Sequence, residues 1–355
     1  EVRDYGAKGS GLRVRRSVRV SAGRLQAWLA AGCGLLAAGA TWAAAQVGGP
    51  AAFFDAPYDA SYERVMAERM KAGIDGFLDS YRAMVIGRKE ARWNRRLESS
   101  AAYKESITPN RERLRQLIGA VDPRPLVRLI TRGDPGRGQL IAETGRCRTY
   151  EVEWTVVDGL VAEGLLLVPK GDIRACAVVI PDADQLPESY AGLSPGSDVA
   201  LRLAEGGVQV LIPTLVSRET RHSGSDRLVP SNPWLRSAEP VSAWTNQPHR
   251  EWIYRQGYVM GRHIIGLEVQ KVLAAVDWLI ASRSPGGVVP VGVMGYGEGG
   301  LLALYSAALD DRIDVSWVSG YFGPREDLWR EPVYRNIWGL LAEFGDAEIA
   351  SLIVP

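Results

Sequence analysis

One turn constrains this chain more than any other feature. Residues 288–294 read as a buried strand and residues 301–309 as a helix, joined by Gly295-Tyr296-Gly297-Glu298-Gly299-Gly300. Four glycines in six positions remove side chains where a strand reverses sharply into a helix and backbones pack close. A strand, a tight turn and a helix in that order belong to a sheet with crossover helices, not to a helical bundle or a sandwich.

The flanking pattern extends that reading. Residues 151–156 and 161–168 flank Asp158-Gly159, a two-residue hairpin turn. Residues 175–180 are an apolar strand, 198–205 a helix and 208–212 a strand, and a long irregular stretch rich in Trp runs from 213 to 263. Residues 267–282 form a helix with Val269, Val272, Leu273, Val276 and Ile280 on one face, and 314–319 form another strand. The expected architecture is α/β, a doubly wound, mostly parallel sheet with an N-terminal helical segment. In that segment Val65, Met66, Met70, Ile74, Phe77, Leu78, Tyr81 and Val85 repeat at helical spacing, so 61 to about 103 is expected to be helical and to pack as a layer on the main domain. A helix over 109–118 follows, with Asn110 as its cap. The domain plan is 1–45, 46–108 (linker and helical segment) and 109–355.

Composition narrows the function classes. With 42 basic and 41 acidic residues in 355, the net charge of +1 removes the electrostatic motive for nucleic-acid binding. Three Cys and three His, widely scattered, point to no metal site, and no cofactor is expected. Near the start, Arg13, Arg15, Arg16, Arg19 and Arg24 precede an apolar run over 27–40 and Ala43-Ala44-Ala45-Gln46. A basic region, a short apolar core and an Ala-x-Ala site spell a signal peptide cleaved near Ala45, and hence an exported protein with no stable membrane span in its mature form. A membrane anchor is the alternative, against which the shortness of the run counts. Arg15-Arg16 fits part of a twin-arginine signal and Ala31-Gly32-Cys33 part of a lipoprotein box. Glu1 is not a natural start, and 350–355 opens like a buried strand and stops, so a fragment is expected. Cys147 and Cys176 either pair in an oxidising compartment or stay as buried thiols.

The turn itself admits two chemistries. Gly295-x-Gly297-x-x-Gly300 satisfies a dinucleotide fingerprint, in which a pyrophosphate sits on the helix amides. Against that, the strand over 314–319 ends in Ser-Gly instead of an acidic residue for the ribose, and the motif follows several strands already spent. The other reading is a nucleophile elbow, G-x-S-x-G, whose frame is intact while its central residue is Gly297.

Several further stretches resemble α/β-hydrolases of the dienelactone hydrolase and acetyl xylan esterase-like group, over about two-thirds of the chain. They are Asn110-Arg111-Glu112-Arg113-Leu114 with Asp122-Pro123-Arg124, the hairpin before Val178-Val179-Ile180, Gly261-Arg262-His263, the elbow, and Ser319-Gly320-Tyr321-Phe322-Gly323. The resemblance implies ester hydrolysis by Ser, Asp and His in that order, with Gly297 at the Ser position and the other two beyond Pro355. It also implies an oxyanion hole from amides of the loop after the third strand, here around Ala183 and Asp184, and from the amide of Glu298. Small-molecule or polysaccharide esters are the implied substrates.

Other residues keep two readings each. Glu298 and Asp184 are candidates to activate a water across the pocket, or are solvated loop carboxylates. His263 precedes the elbow, outside the triad order, and suits a structural or pocket-wall role. His222 and His249, with Trp234, Trp244 and Trp252, lie in the segment expected over the sheet's carboxyl edge; the tryptophans either line a substrate pocket or simply pack. Ser306 and Ser319 stand outside the turn and cannot replace the missing hydroxyl. Three functions stay open: an esterase with a nonstandard nucleophile or activated water, a carbohydrate- or ester-binding pseudoenzyme, and a dinucleotide-binding protein.

Overall fold

Alternation along the predicted hairpin builds the first half of the sheet. Strand β3 (Cys147–Val157) buries Val152, Trp154 and Val156 on one face, and its turn into β4 (Leu160–Pro169) is made by Asp158 and Gly159, the latter at φ 76°. The computed structural model describes residues 60–132, 140–220, 247–282 and 289–354. The signal segment with Cys33, and His222, Trp234 and Trp244, lie outside the described residues.

Two short strands, β1 (Leu129–Arg132) and β2 (Leu140–Glu143), pair antiparallel with β3. Beyond β4 come β5 (Ala175–Ile180), β6 (Val208–Pro213), β7 (Val291–Tyr296) and β8 (Val315–Ser319). The sheet order is β1-β3-β4-β6-β5-β7-β8, antiparallel as far as β4–β6 and parallel from β6 to β8. Both faces of β5 and β6 are covered, which explains their unbroken apolar runs, whereas the edge strand β8 leaves Val315 and Trp317 exposed. On one face Cys176, Val178 and Ile180 meet α7 (Ile264–Ala281) and α8 (Glu298–Leu309); on the other Ala177 and Val179 meet α4 (Pro187–Tyr190) and α5 (Val199–Glu205). Each fully buried Val, Leu or Ile contributes about 1.5–3 kcal/mol. Cys147 and Cys176 are both buried and are not bonded to each other. No helix of the described residues is long and apolar enough to cross a membrane.

The chain divides into two compact units at Met70/Lys71. The predicted helix to about 103 is in fact broken. Helix α1 (Ala60–Gly87) ends, a 3-10 turn follows at Lys89–Arg92, and α2 (Ser100–Ser106) restarts behind Ser99, whose hydroxyl caps the Ala102 amide. Nor is the apolar stripe of α1 buried in the larger unit: Ile74, Phe77, Leu78 and Tyr81 are all exposed. Residues after α1 do the docking. The Trp93 indole donates to the Glu343 carbonyl, Tyr103 donates to that of Ser351, and Lys89 pairs with Glu348. Asn110 does not cap α3 (Thr108–Leu117). It is buried inside the helix and donates to the Arg92 carbonyl and the Glu343 carboxylate, because that buried carboxylate needs donors.

His263 starts α7. Its Nδ1 accepts the Ile265 amide at 3.1 Å and its Nε2 donates to the Asn336 carbonyl at 3.1 Å, which fixes a neutral tautomer. Burial pushes its pKa down to about 4. The unfolded chain takes up this proton near pH 6.5 and the folded chain does not, so stability falls as pH drops from 6.5 toward 4. Between pH 7.5 and 5 the expected loss is about 2 kcal/mol. Asn caps as His does here, so His263→Asn should flatten that slope in urea melts at the two pH values; equal slopes would exclude His263 as its source.

Candidate functional site

The end of β7 carries the turn. Gly297 sits at φ 58°, ψ −118°, a region costly for any residue with a Cβ, and its amide donates to the Ser319 carbonyl on β8. Gly299 is forced by close approach: a Cβ there would lie 2.1 Å from the Ile180 carbonyl oxygen. The sharp strand-to-helix turn at the carboxyl edge of the parallel strands is therefore formed, with no side chain at its apex.

That apex is occupied from across the sheet. Asp182, two residues beyond β5, places Oδ1 2.4 Å from where a Cβ on Gly297 would stand. The same Oδ1 accepts the Glu298 amide at 2.8 Å. Arg218 closes it with a fork, Nη2 to Oδ1 at 2.9 Å and Nη1 to Oδ2 at 2.7 Å. Burial drives the Asp182 carboxyl pKa up; Arg218 and the Glu298 amide outweigh it and hold the group below its ordinary value. Arg218 is raised in turn, first by its bonds to Asp182.

Asp184 and Glu298 do not face each other across an open pocket. Arg218 lies between them, 2.9 Å from Asp184 Oδ2 and 3.4 Å from Glu298 Oε1. The Glu298 side chain has no solvent exposure and is held by Arg335 Nη2 at 2.6 Å, with Arg250 Nη2 3.6 Å from its other oxygen. Three guanidinium groups, of Arg335, Arg218 and Arg250, thus surround the Glu298 carboxylate. Arg250, on α6 (His249–Tyr258), is itself fully buried; it binds Glu268 Oε2 at 2.7 Å and the Val216 carbonyl at 2.9 Å. Arg335 also binds Glu331 at 2.7 Å, and the Arg218 Nε donates to the Tyr334 hydroxyl at 3.1 Å.

His263 lies in the wall of a separate cleft of 350 Å³, shared with Gln116, Tyr258, Arg262 and Trp338. A second cleft, of 330 Å³, is lined by Arg124, Leu126, Asp277 and Trp278; neither includes Gly297 or Asp182. Sequence reasoning missed Asp182, Arg218, Arg250 and Arg335. Only Asp182 had a signal, its place in the loop named for the oxyanion amides. The arginines converge from distant parts of the chain. No group of described residues could hold a metal ion.

The mixed sheet, its helix-covered parallel half and the elbow at the end of β7 define the α/β-hydrolase fold, and the chain has that fold. A solved structure from Bacteroides fragilis, provisionally named an acetyl xylan esterase, superposes with a TM-score of 0.53 at 15% identity, over 84% of this chain and 74% of that one. An acetyl xylan esterase from Thermoanaerobacterium covers 70% of this chain and 72% of its own at 16% identity, with a TM-score of 0.34. YtaP of Bacillus subtilis, provisionally named a hydrolase, is 33% identical over 109 residues, 29% of this chain and about a third (36%) of that relative's length. No family model matches the chain.

The charge network predicts a steep cost for opening it. Arg250→Met leaves Glu268 and Glu298 buried without their shared cation and should cost about 3–5 kcal/mol in urea unfolding. Adding Glu268→Gln should recover part of the loss; an additive loss would contradict the coupling.

Proposed function

We propose that this chain is a pseudoenzyme built on an esterase scaffold, one that engages esters or carbohydrate at the sheet's carboxyl edge without forming an acyl-enzyme. One observation carries the reading: the carboxylate of Asp182 fills the space at Gly297 and takes the Glu298 amide, the position and the donor that ester chemistry requires. The neighbours' esterase names make an esterified polysaccharide, such as an acetylated xylan, the ligand class to probe first. Export fits this reading through the signal-like segment ahead of Gln46. A dinucleotide is disfavoured, because a carboxylate already sits on the helix amide that a pyrophosphate would use, with Asp184 and Glu298 close by.

The test is hydrolysis of p-nitrophenyl acetate by the wild type and by Gly297→Ser. Neither should exceed the buffer rate, since the introduced Cβ would overlap Asp182 Oδ1 and the hydroxyl would meet occupied amides. Wild-type turnover above buffer that disappears in Asp182→Asn would overturn the reading and make Asp182 a working carboxylate.

A further inference from the structure

Within the larger unit, helix α1 carries its apolar residues on one face and is anchored by another. Ile74, Phe77, Tyr81 and Met84 follow at steps of three, four and three, the a and d spacing of a two-helix seam, and Leu78 flanks them. All five are exposed, Phe77 by 64%. Arg82 and the half-buried Ile86 lie four apart on a different face, where Arg82 reaches Asp327 at 3.4 Å. The stripe is therefore not the face that anchors α1, and a continuous exposed apolar patch marks an interaction surface. Gly73, Ser80 and Gly87 run beside it at intervals of seven. A Cβ at either glycine would meet nothing within 4 Å, so the chain's own packing does not call for these helix-weakening residues. Small side chains there let a second helix come close.

We propose that this stripe is a dimer seam, closed by α1 of a second copy running antiparallel about a two-fold axis level with Asp79. That register sets an a residue against a d residue in every layer. Phe77 meets the partner's Tyr81 and Tyr81 the partner's Phe77, while Ile74 meets the partner's Met84 and Met84 the partner's Ile74. On the flanks Leu78 meets the partner's Leu78, and Ser80 the partner's Ser80. Phe77 and Tyr81 already stack within one copy, with centroids 5.9 Å apart, so the seam gathers four rings. Asp75, Asp79 and Arg82 lie off the seam, so no like charges meet across it, and the two aspartates disfavour an anionic bilayer as the occupant. With each of the five side chains contributing its exposed half, about 100 Å² apiece, the pair buries about 1,000 Å², the size at which specific interfaces begin. The dimer is accordingly weak and reversible. It does not depend on what the elbow binds.

The test is sedimentation of the full chain across a micromolar concentration series. The wild type should show reversible exchange between monomer and dimer. Phe77→Glu and Tyr81→Lys each put a charge into an apolar layer and should each raise the dissociation constant about a hundredfold. Mixed in equal amounts, the two variants should dimerise again. The antiparallel register sets the new carboxylate against the new ammonium in one layer and leaves Tyr81 on Phe77 in the other. A parallel pair would set the carboxylate against Phe77 and would not recover. Both positions are exposed in the single chain, so the variants should melt with the wild type when monomeric. Should either melt early, Leu78→Glu takes its place, since it sets like charges face to face and must also split the dimer. A wild type that stays monomeric, as it would with the stripe covered by another part of the chain or by a different partner, would overturn the proposal. So would a dimer that these substitutions leave unchanged, or a mixture that stays monomeric.

Discussion

A carboxylate shut away from water needs positive charge close by, and much of the arrangement at the sheet's carboxyl edge follows from meeting that need for Glu298. It is the first residue of α8 and has no exposure, so solvent cannot carry its charge. Arg335, Arg218 and Arg250 do so, and each is tied further by Glu331, Asp182, Asp184 or Glu268. Such networks hold because no member can leave without stranding another in a medium of low polarity. The loop after β6, helix α6 and the 3-10 turn at Val333–Arg335 each contribute one arginine, so three separate parts of the chain are fixed around the elbow by charge as well as by the apolar contacts of Val216, Ile253, Tyr254 and Tyr334.

The elbow itself is preserved as geometry. Gly297 retains a left-handed φ, and Gly299 allows α8 to approach the end of β5. The space beside Gly297 is taken by Asp182, whose carboxylate meets the Glu298 amide at the start of α8. The turn and the sheet of an α/β-hydrolase fold thus coexist with a carboxylate held at the start of α8.

Much of the fold was legible because its signals are local. The Asp158-Gly159 turn, the apolar runs of β5, β6 and β7, and the helical face of α7 each declare themselves within a dozen residues, and the elbow glycines mark their turn directly. Where the sequence misled, a distant partner decided. Asn110 reads as a cap until Glu343, far along the chain, is placed beside it. The stripe on α1 reads as a packing face, yet Phe77 and Tyr81 stack on each other and stay exposed.

The sequence by itself determined that a strand must turn sharply into a helix at Gly295–Gly300 and that no side chain can stand at its centre, because those are properties of backbone sterics and of glycine. Tertiary structure alone decided what fills the space beside Gly297. Asp182 lies 115 positions before Gly297 and Arg218 lies 79 before it, and nothing periodic or local links them. They meet because parallel strands deliver their carboxyl ends to one edge, and because carboxylates buried there require cations wherever the chain can supply them.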